Sequence, residues 1–122
     1  MLIAAAALLI LMSVFHSLVG ERAILRPIKE ADNLPPMWGE RLYTFRTIQA
    51  TSHLVSALWL GLAVYFVALA LAPGEAMRIS LLTFGGLFAG LAIVPLMWNS
   101  GKHKSYIPFG LISAALFASA FL

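Results

Sequence analysis

Four runs of apolar residues, each close to the length that crosses a bilayer, leave this chain few ways to fold. An α-helix rises about 1.5 Å per residue, so about 20 apolar residues cross a hydrocarbon core about 30 Å thick. The first run is Leu2–Gly20, LIAAAALLILMSVFHSLVG. The second extends from about Thr47 to Ala72 and stops at Pro73-Gly74. The third covers Ile79–Asn99 and stops at Ser100-Gly101, a plausible helix C-cap. The fourth covers Tyr106–Leu122, with Ser105 as a natural N-cap and Pro108 tolerated in its first turn. None shows the strict two-residue alternation of a barrel strand, so all four are read as helices. Only 11% of the 122 residues are charged and 61% are hydrophobic. Soluble domains carry about 25% charged residues, and a chain this short has too little interior to hide so much apolar surface. The expectation is one all-α domain over residues 1–122, a membrane four-helix bundle whose first partner is the lipid bilayer.

The basic residues orient it. Arg22, Arg26, Lys29, Arg41 and Arg46 follow the first run, Lys102 and Lys104 follow the third, and only Arg78 lies on the other face. Seven against one is a strong positive-inside bias. It places the 21–46 loop in the cytoplasm and both termini on the periplasmic side. The first run lacks a basic n-region and a small-x-small cleavage site, so it reads as a retained span rather than a signal peptide. The loop after it mixes charges with Leu34, Trp38, Leu42, Tyr43 and Phe45. It is too apolar for a disordered tail. After the NLPP stretch an amphipathic helix is expected over Met37–Arg46, with Trp38, Tyr43 and Trp98 at the cytoplasmic interface. The net charge of +3 is explained by this asymmetry, and no nucleic-acid role is expected.

Several chemistries are excluded. The chain has no cysteine, hence no disulfide, thiolate metal site or thiol redox chemistry. It has no phosphate loop, Gly-x-Ser-x-Gly or His-Glu-x-x-His motif, which leaves hydrolase and ATPase activity without support. Its size is that of the small multidrug-resistance transporters, but the first run lacks the carboxylate on which their coupling depends.

The three histidines are the most informative residues. His16 lies one turn before the cytoplasmic end of the first run, His53 near the start of the second, and His103 in the turn before the fourth. All three fall at one end of the molecule. At about 100° per residue, Arg46, Gln49, His53, Ser56 and Leu60 lie within roughly 80° of each other, and Ser13, His16, Ser17 and Gly20 within about 100°. Polar side chains in a span avoid lipid, so the two stripes are expected to face each other, with Glu21, Asn99 and His103 nearby. The first reading of this cluster is interhelical glue, worth about 0.6 kcal/mol per hydrogen bond. The second is a metal site on His16, His53, His103 and Glu21, or a haem flanked by His16 and His53. No His-x-x-x-His or Glu-x-x-His spacing supports it. The third is a proton relay or a small proton-coupled transporter. Function is accordingly read as a non-enzymatic membrane component, an accessory subunit with a protein partner or a homo-oligomer, with metal or haem binding and transport as alternatives.

Two packing features complete the reading. Gly86 and Gly90, with Thr83 on the same face, form a small-xxx-small pair expected to pack inside the bundle, facing Gly110, Ala114 and Ala118. Pro95 frees the carbonyl of Leu91, and a kink there is expected to open a cavity beside the histidines.

The segments FHSLVGERAILRPI, LYTFRTIQATSHLVSALWLG and NSGKHKSYIPF resemble a group of small bacterial inner-membrane proteins of four predicted spans. The shared features are a His-Ser-x-x-Gly-Glu-Arg block, here His16–Arg22, a histidine opening the second span, here His53, and a basic turn before the fourth, here Gly101-Lys102-His103. The resemblance implies four spans in a bacterial inner membrane. It implies no activity, ligand or catalytic residue.

Overall fold

The computed structural model describes all 122 residues, and they form four helices. Helix α1 runs from Leu2 to Ala31 as one 30-residue rod, ten residues and more beyond its apolar part. A π-helical turn, Glu21–Leu25, interrupts its register, and the N–H of Arg26 donates to the carbonyl of Glu21. Pro27 explains it. Having no N–H, Pro27 leaves the carbonyl of Ala23 without its usual donor, and the ladder slips by one residue instead of breaking. Asp32, in left-handed conformation, ends the helix.

Helix α2, Arg41–Leu71, spans 31 residues. It begins four residues after the expected start at Met37. Met37 and Glu40 close a tight turn through reciprocal backbone bonds of 3.3 and 3.1 Å. Trp38 and Gly39 between them have φ of +49° and +87°, values that no α-helix admits. Glycine carries the larger one at no steric cost. Thr44 then donates to the Pro35 carbonyl at 2.6 Å and Arg41 reaches the carbonyl of Asp32, which fastens the connection to the first turn of α2. At about 46 Å, α2 exceeds a hydrocarbon core by several turns, so the expected amphipathic helix and second span form one element.

Helix α3, Ala76–Trp98, starts three residues before the expected Ile79 and continues through Pro95. Its end is tied down by the N–H groups of Asn99 and Gly101, which both donate to the Pro95 carbonyl. Helix α4, Tyr106–Phe121, has 16 residues, about 24 Å of rise. Its N-cap Ser105 makes no side-chain capping bond, because its hydroxyl is engaged with His103.

The helices do not close into a bundle. Substantial packing occurs only between chain neighbours, α1 on α2, α2 on α3 and α3 on α4, which makes an open row. Only 14 of 122 residues are buried, far fewer than a water-soluble core would require. The buried apolar residues are mostly alanines, Ala6, Ala63, Ala68 and Ala76, where helices approach closely. Large side chains such as Leu11, Phe15, Leu111 and Phe121 point outward. Three helices are long and apolar enough to cross a membrane, and α4 is a shorter apolar helix.

The glycines at the contacts differ from those expected. No atom beyond their own helices lies within 4 Å of a Cβ built on Gly86, Gly90 or Gly110. The close approaches are at Gly61, where a Cβ would lie 2.8 Å from Leu87 and 2.9 Å from Phe84, and at Gly85, packed on Phe117. Gly85 is one residue from the expected pair, and one residue turns a helix by about 100°. The α3–α4 contact is also tied by Ser113, whose hydroxyl donates to the Gly85 carbonyl at 2.8 Å.

Candidate functional site

The polar stripes of α1 and α2 meet and form one continuous hydrogen-bonded seam. At its outer end Gln49 donates from Nε2 to both oxygens of Glu21, each at 3.1 Å. Glu21 Oε2 lies 3.0 Å from His53 Nε2. The other ring nitrogen, His53 Nδ1, is 3.0 Å from Ser17 Oγ, and Ser17 Oγ is 2.8 Å from Ser56 Oγ. Ser56 Oγ is in turn 3.0 Å from His16 Nδ1. Ser13 closes the inner end by donating to the Ser56 carbonyl at 2.8 Å. The His16 ring meets Trp59 edge-on, with centroids 5.3 Å apart.

Local structure explains the assembly. His16, Ser17 and Glu21 stay on one face of α1 because helix continues past Gly20 instead of ending there. At Gly20 the two helices are in ordinary contact, with Ser52 Oγ 3.9 Å from where a Cβ would lie. The outer end of the seam is wetter than the inner one. About a third of the Glu21 and His53 side chains is exposed, whereas Ser13 and Ser56 are buried.

Hydroxyl protons can lie either way along such a chain. With His53 neutral, Ser17 donates to its Nδ1, Ser56 donates to Ser17, and His16 donates from Nδ1 to Ser56. With the His53 Nδ1 carrying hydrogen, each of these bonds can run the other way, with His16 accepting at Nδ1, so the line of contacts from Glu21 to His16 is unbroken in either arrangement.

The structure separates the remaining candidates from this seam. His103 does not join His16 and His53. It packs edge-on against Trp38 at 5.7 Å and bonds Ser105 at 2.8 Å. Asn99 donates to Thr47 Oγ1 at 3.2 Å, and Arg46 reaches the carbonyl of Trp98. These three line a separate cavity of about 110 Å³ between α2, α3 and α4. The cavity face of α2, centred on Thr47, Ala50 and Leu54, is turned roughly 120° from the seam face. Arg46 sits on the boundary, and its long side chain swings to the cavity side. The expected Pro95 cavity is this one, and it borders one histidine only.

The expected convergence of His16, His53, His103 and Glu21 is therefore corrected. No three His, Asp or Glu side chains gather to hold a metal. His53 and Glu21 bond each other, and His16 bonds a serine. Sequence reasoning missed Thr47, Trp59 and Ser113. Thr47 was legible only as a span boundary, and Trp59 only as one aromatic among many.

Fold and seam together define a class, an all-helical protein with helices fit to cross a bilayer and a polar seam near one end. Compared with known proteins, the chain matches no family model, no curated protein and no solved structure.

Proposed function

We propose that the chain is a small multi-pass protein of the bacterial inner membrane, crossing four times with both termini in the periplasm. In this reading it is non-enzymatic and serves as an accessory component of a larger assembly. The observation that carries it is the continuity of the seam. From Gln49 to Ser13, each polar side chain bonds another member across the α1–α2 contact. A seam built this way joins α1 to α2, which is structural work. The open row supports the second part, since the outer flanks of α1 and α4 are covered by no other helix and are free for lipid or a partner helix. The seven basic residues gathered at one end support the orientation.

A second reading, a proton-coupled carrier, is favoured by the reversible bond pattern of the seam. It is the weaker one because the pattern ends blind. Beyond Ser13 the groove continues as Ile10, Leu60, Val64, Val67 and Leu71, which pass no proton.

Gentle detergent purification with mass spectrometry tests the first reading, and one partner at fixed stoichiometry is the expected result. Purified protein that travels alone and moves protons into liposomes, in a manner lost in His53→Ala, would replace it with the second. A reporter fused after Leu122 should be active in the periplasm. Activity in the cytoplasm would invert the molecule.

A further inference from the structure

The cavity between α2, α3 and α4 contains a defect in an otherwise satisfied structure. Asn99 is 4% exposed, and its Oδ1 is the one buried side-chain polar atom with no hydrogen-bond partner in the protein. The orientation of this amide is fixed by its neighbour. Thr47 Oγ1 donates its single hydrogen to the Tyr43 carbonyl at 2.9 Å. It can therefore only accept from Asn99, so the amide must present its NH₂ to Thr47. Flipping the amide would set two acceptors against each other. Oδ1 is left needing a donor, and a buried acceptor without one costs about 1–3 kcal/mol.

The surroundings say what kind of molecule supplies it. Leu54, Leu91 and Phe109 make the deep walls apolar, while Arg46 and His103 stand with Asn99 at the end nearer the connecting turns. Arg46 uses one of its N–H groups on the Trp98 carbonyl and keeps the others. His103 accepts the Ser105 backbone N–H at Nδ1, 3.3 Å away, so its neutral ring carries hydrogen on Nε2. The site thus offers donors for an anion, one acceptor for a hydroxyl, and an apolar wall running inward along the helices.

We propose that this cavity binds an anionic phospholipid with a hydroxylated headgroup. The phosphate sits at Arg46, a headgroup hydroxyl donates to Asn99 Oδ1, and one acyl chain lies along Leu54 and Leu91. The proposal takes its ligand from the bilayer and so rests on the membrane reading, which the reporter fusion tests separately.

The test uses the full chain in detergent, stripped of lipid, with native mass spectrometry as the readout. The probes are dioleoyl phosphatidylglycerol, dioleoyl phosphatidylmethanol and dioleoyl phosphatidylcholine. Phosphatidylmethanol carries the same phosphate charge as phosphatidylglycerol but no headgroup hydroxyl. Phosphatidylglycerol should bind about ten-fold more tightly than phosphatidylmethanol, the worth of satisfying one buried acceptor. Asn99→Leu should bring the two to equality. Arg46→Gln should weaken both by a similar factor. Leu54→Trp fills the cavity without touching Asn99 and should also abolish the preference, which guards against misfolding of the Asn99 variant. Equal binding of the two anionic lipids by the unaltered protein would overturn the proposal and leave only general attraction to a basic end. A preference that survives both Asn99→Leu and Leu54→Trp would place the lipid elsewhere and overturn it equally.

Discussion

Replacing Ser17 with alanine removes the middle link of the seam and little else. The Ser17 hydroxyl makes two contacts, 3.0 Å to His53 Nδ1 and 2.8 Å to Ser56 Oγ. Interhelical hydrogen bonds in membranes average about 0.6 kcal/mol, so losing both costs about 1.2 kcal/mol. Alanine is the better helix former by about half a kcal/mol, which offsets part of this. Ser56 keeps His16 and His53 keeps Glu21 through Nε2, while His53 Nδ1 loses its protein partner on a side chain that is about a third exposed and open to solvent. The net cost is about 0.7 kcal/mol, roughly a three-fold shift toward separated helices. Unfolding by dodecyl sulfate in mixed micelles, followed by circular dichroism, measures it. Ser119→Ala is the matched control, since that hydroxyl bonds only the Ala115 carbonyl of its own helix, and it should change stability by a few tenths of a kcal/mol at most. A double-mutant cycle of Ser17→Ala with His53→Ala should give a coupling of about 0.6 kcal/mol. Equal effects of Ser17→Ala and Ser119→Ala, with zero coupling to His53, would refute the seam as a source of α1–α2 adhesion.

Gly61→Leu should separate α2 from α3, because even a Cβ there would crowd Phe84 and Leu87, and a loss of 2 kcal/mol or more, about the scale of core overpacking, is expected in the same assay. Gly39→Val, at φ +87°, should cost about 1–2 kcal/mol locally and speed hydrogen exchange at the Met37 and Glu40 amides, while leaving Ser17→Ala with its usual effect. The chain has no native cysteine, so paired cysteines report the order of the row cleanly. Cysteines at Gly20 and Ser52 should cross-link, and cysteines at Leu11 on α1 and Leu111 on α4 should not. Efficient cross-linking of the second pair would show a closed bundle.

The helices were legible because a span has a simple signature, a run of apolar residues of fixed length. The α1–α2 seam was legible for a related reason. Helical periodicity fixes which residues share a face, and Ser13, His16 and Ser17 have only one polar stripe to meet. What periodicity does not fix is the order in which helices stand side by side. The row places α2 between the two ends, so Asn99 and His103 meet the far face of α2, and no pattern within a single helix distinguishes that from a closed bundle. The continuation of α1 to Ala31 was hidden by Pro27, which reads as a helix breaker and is accommodated by a π-turn. The late start of α2 was hidden by Trp38, a bulky residue in left-handed conformation that local propensity disfavours.

The seam itself can be observed directly. With only three histidines in the chain, ¹⁵N-labelled imidazoles in lipid bilayers give a spectrum simple enough to assign by single substitutions. Through-space solid-state correlations should connect His53 Nε2 to the Glu21 carboxyl carbon and His16 Nδ1 to Ser56 Cβ, while His103 correlates with Ser105 and Trp38 and with neither other histidine. A His53 ring with no contact to Glu21 or Ser17, or one in contact with His103, would contradict the arrangement of α1 and α2 described above.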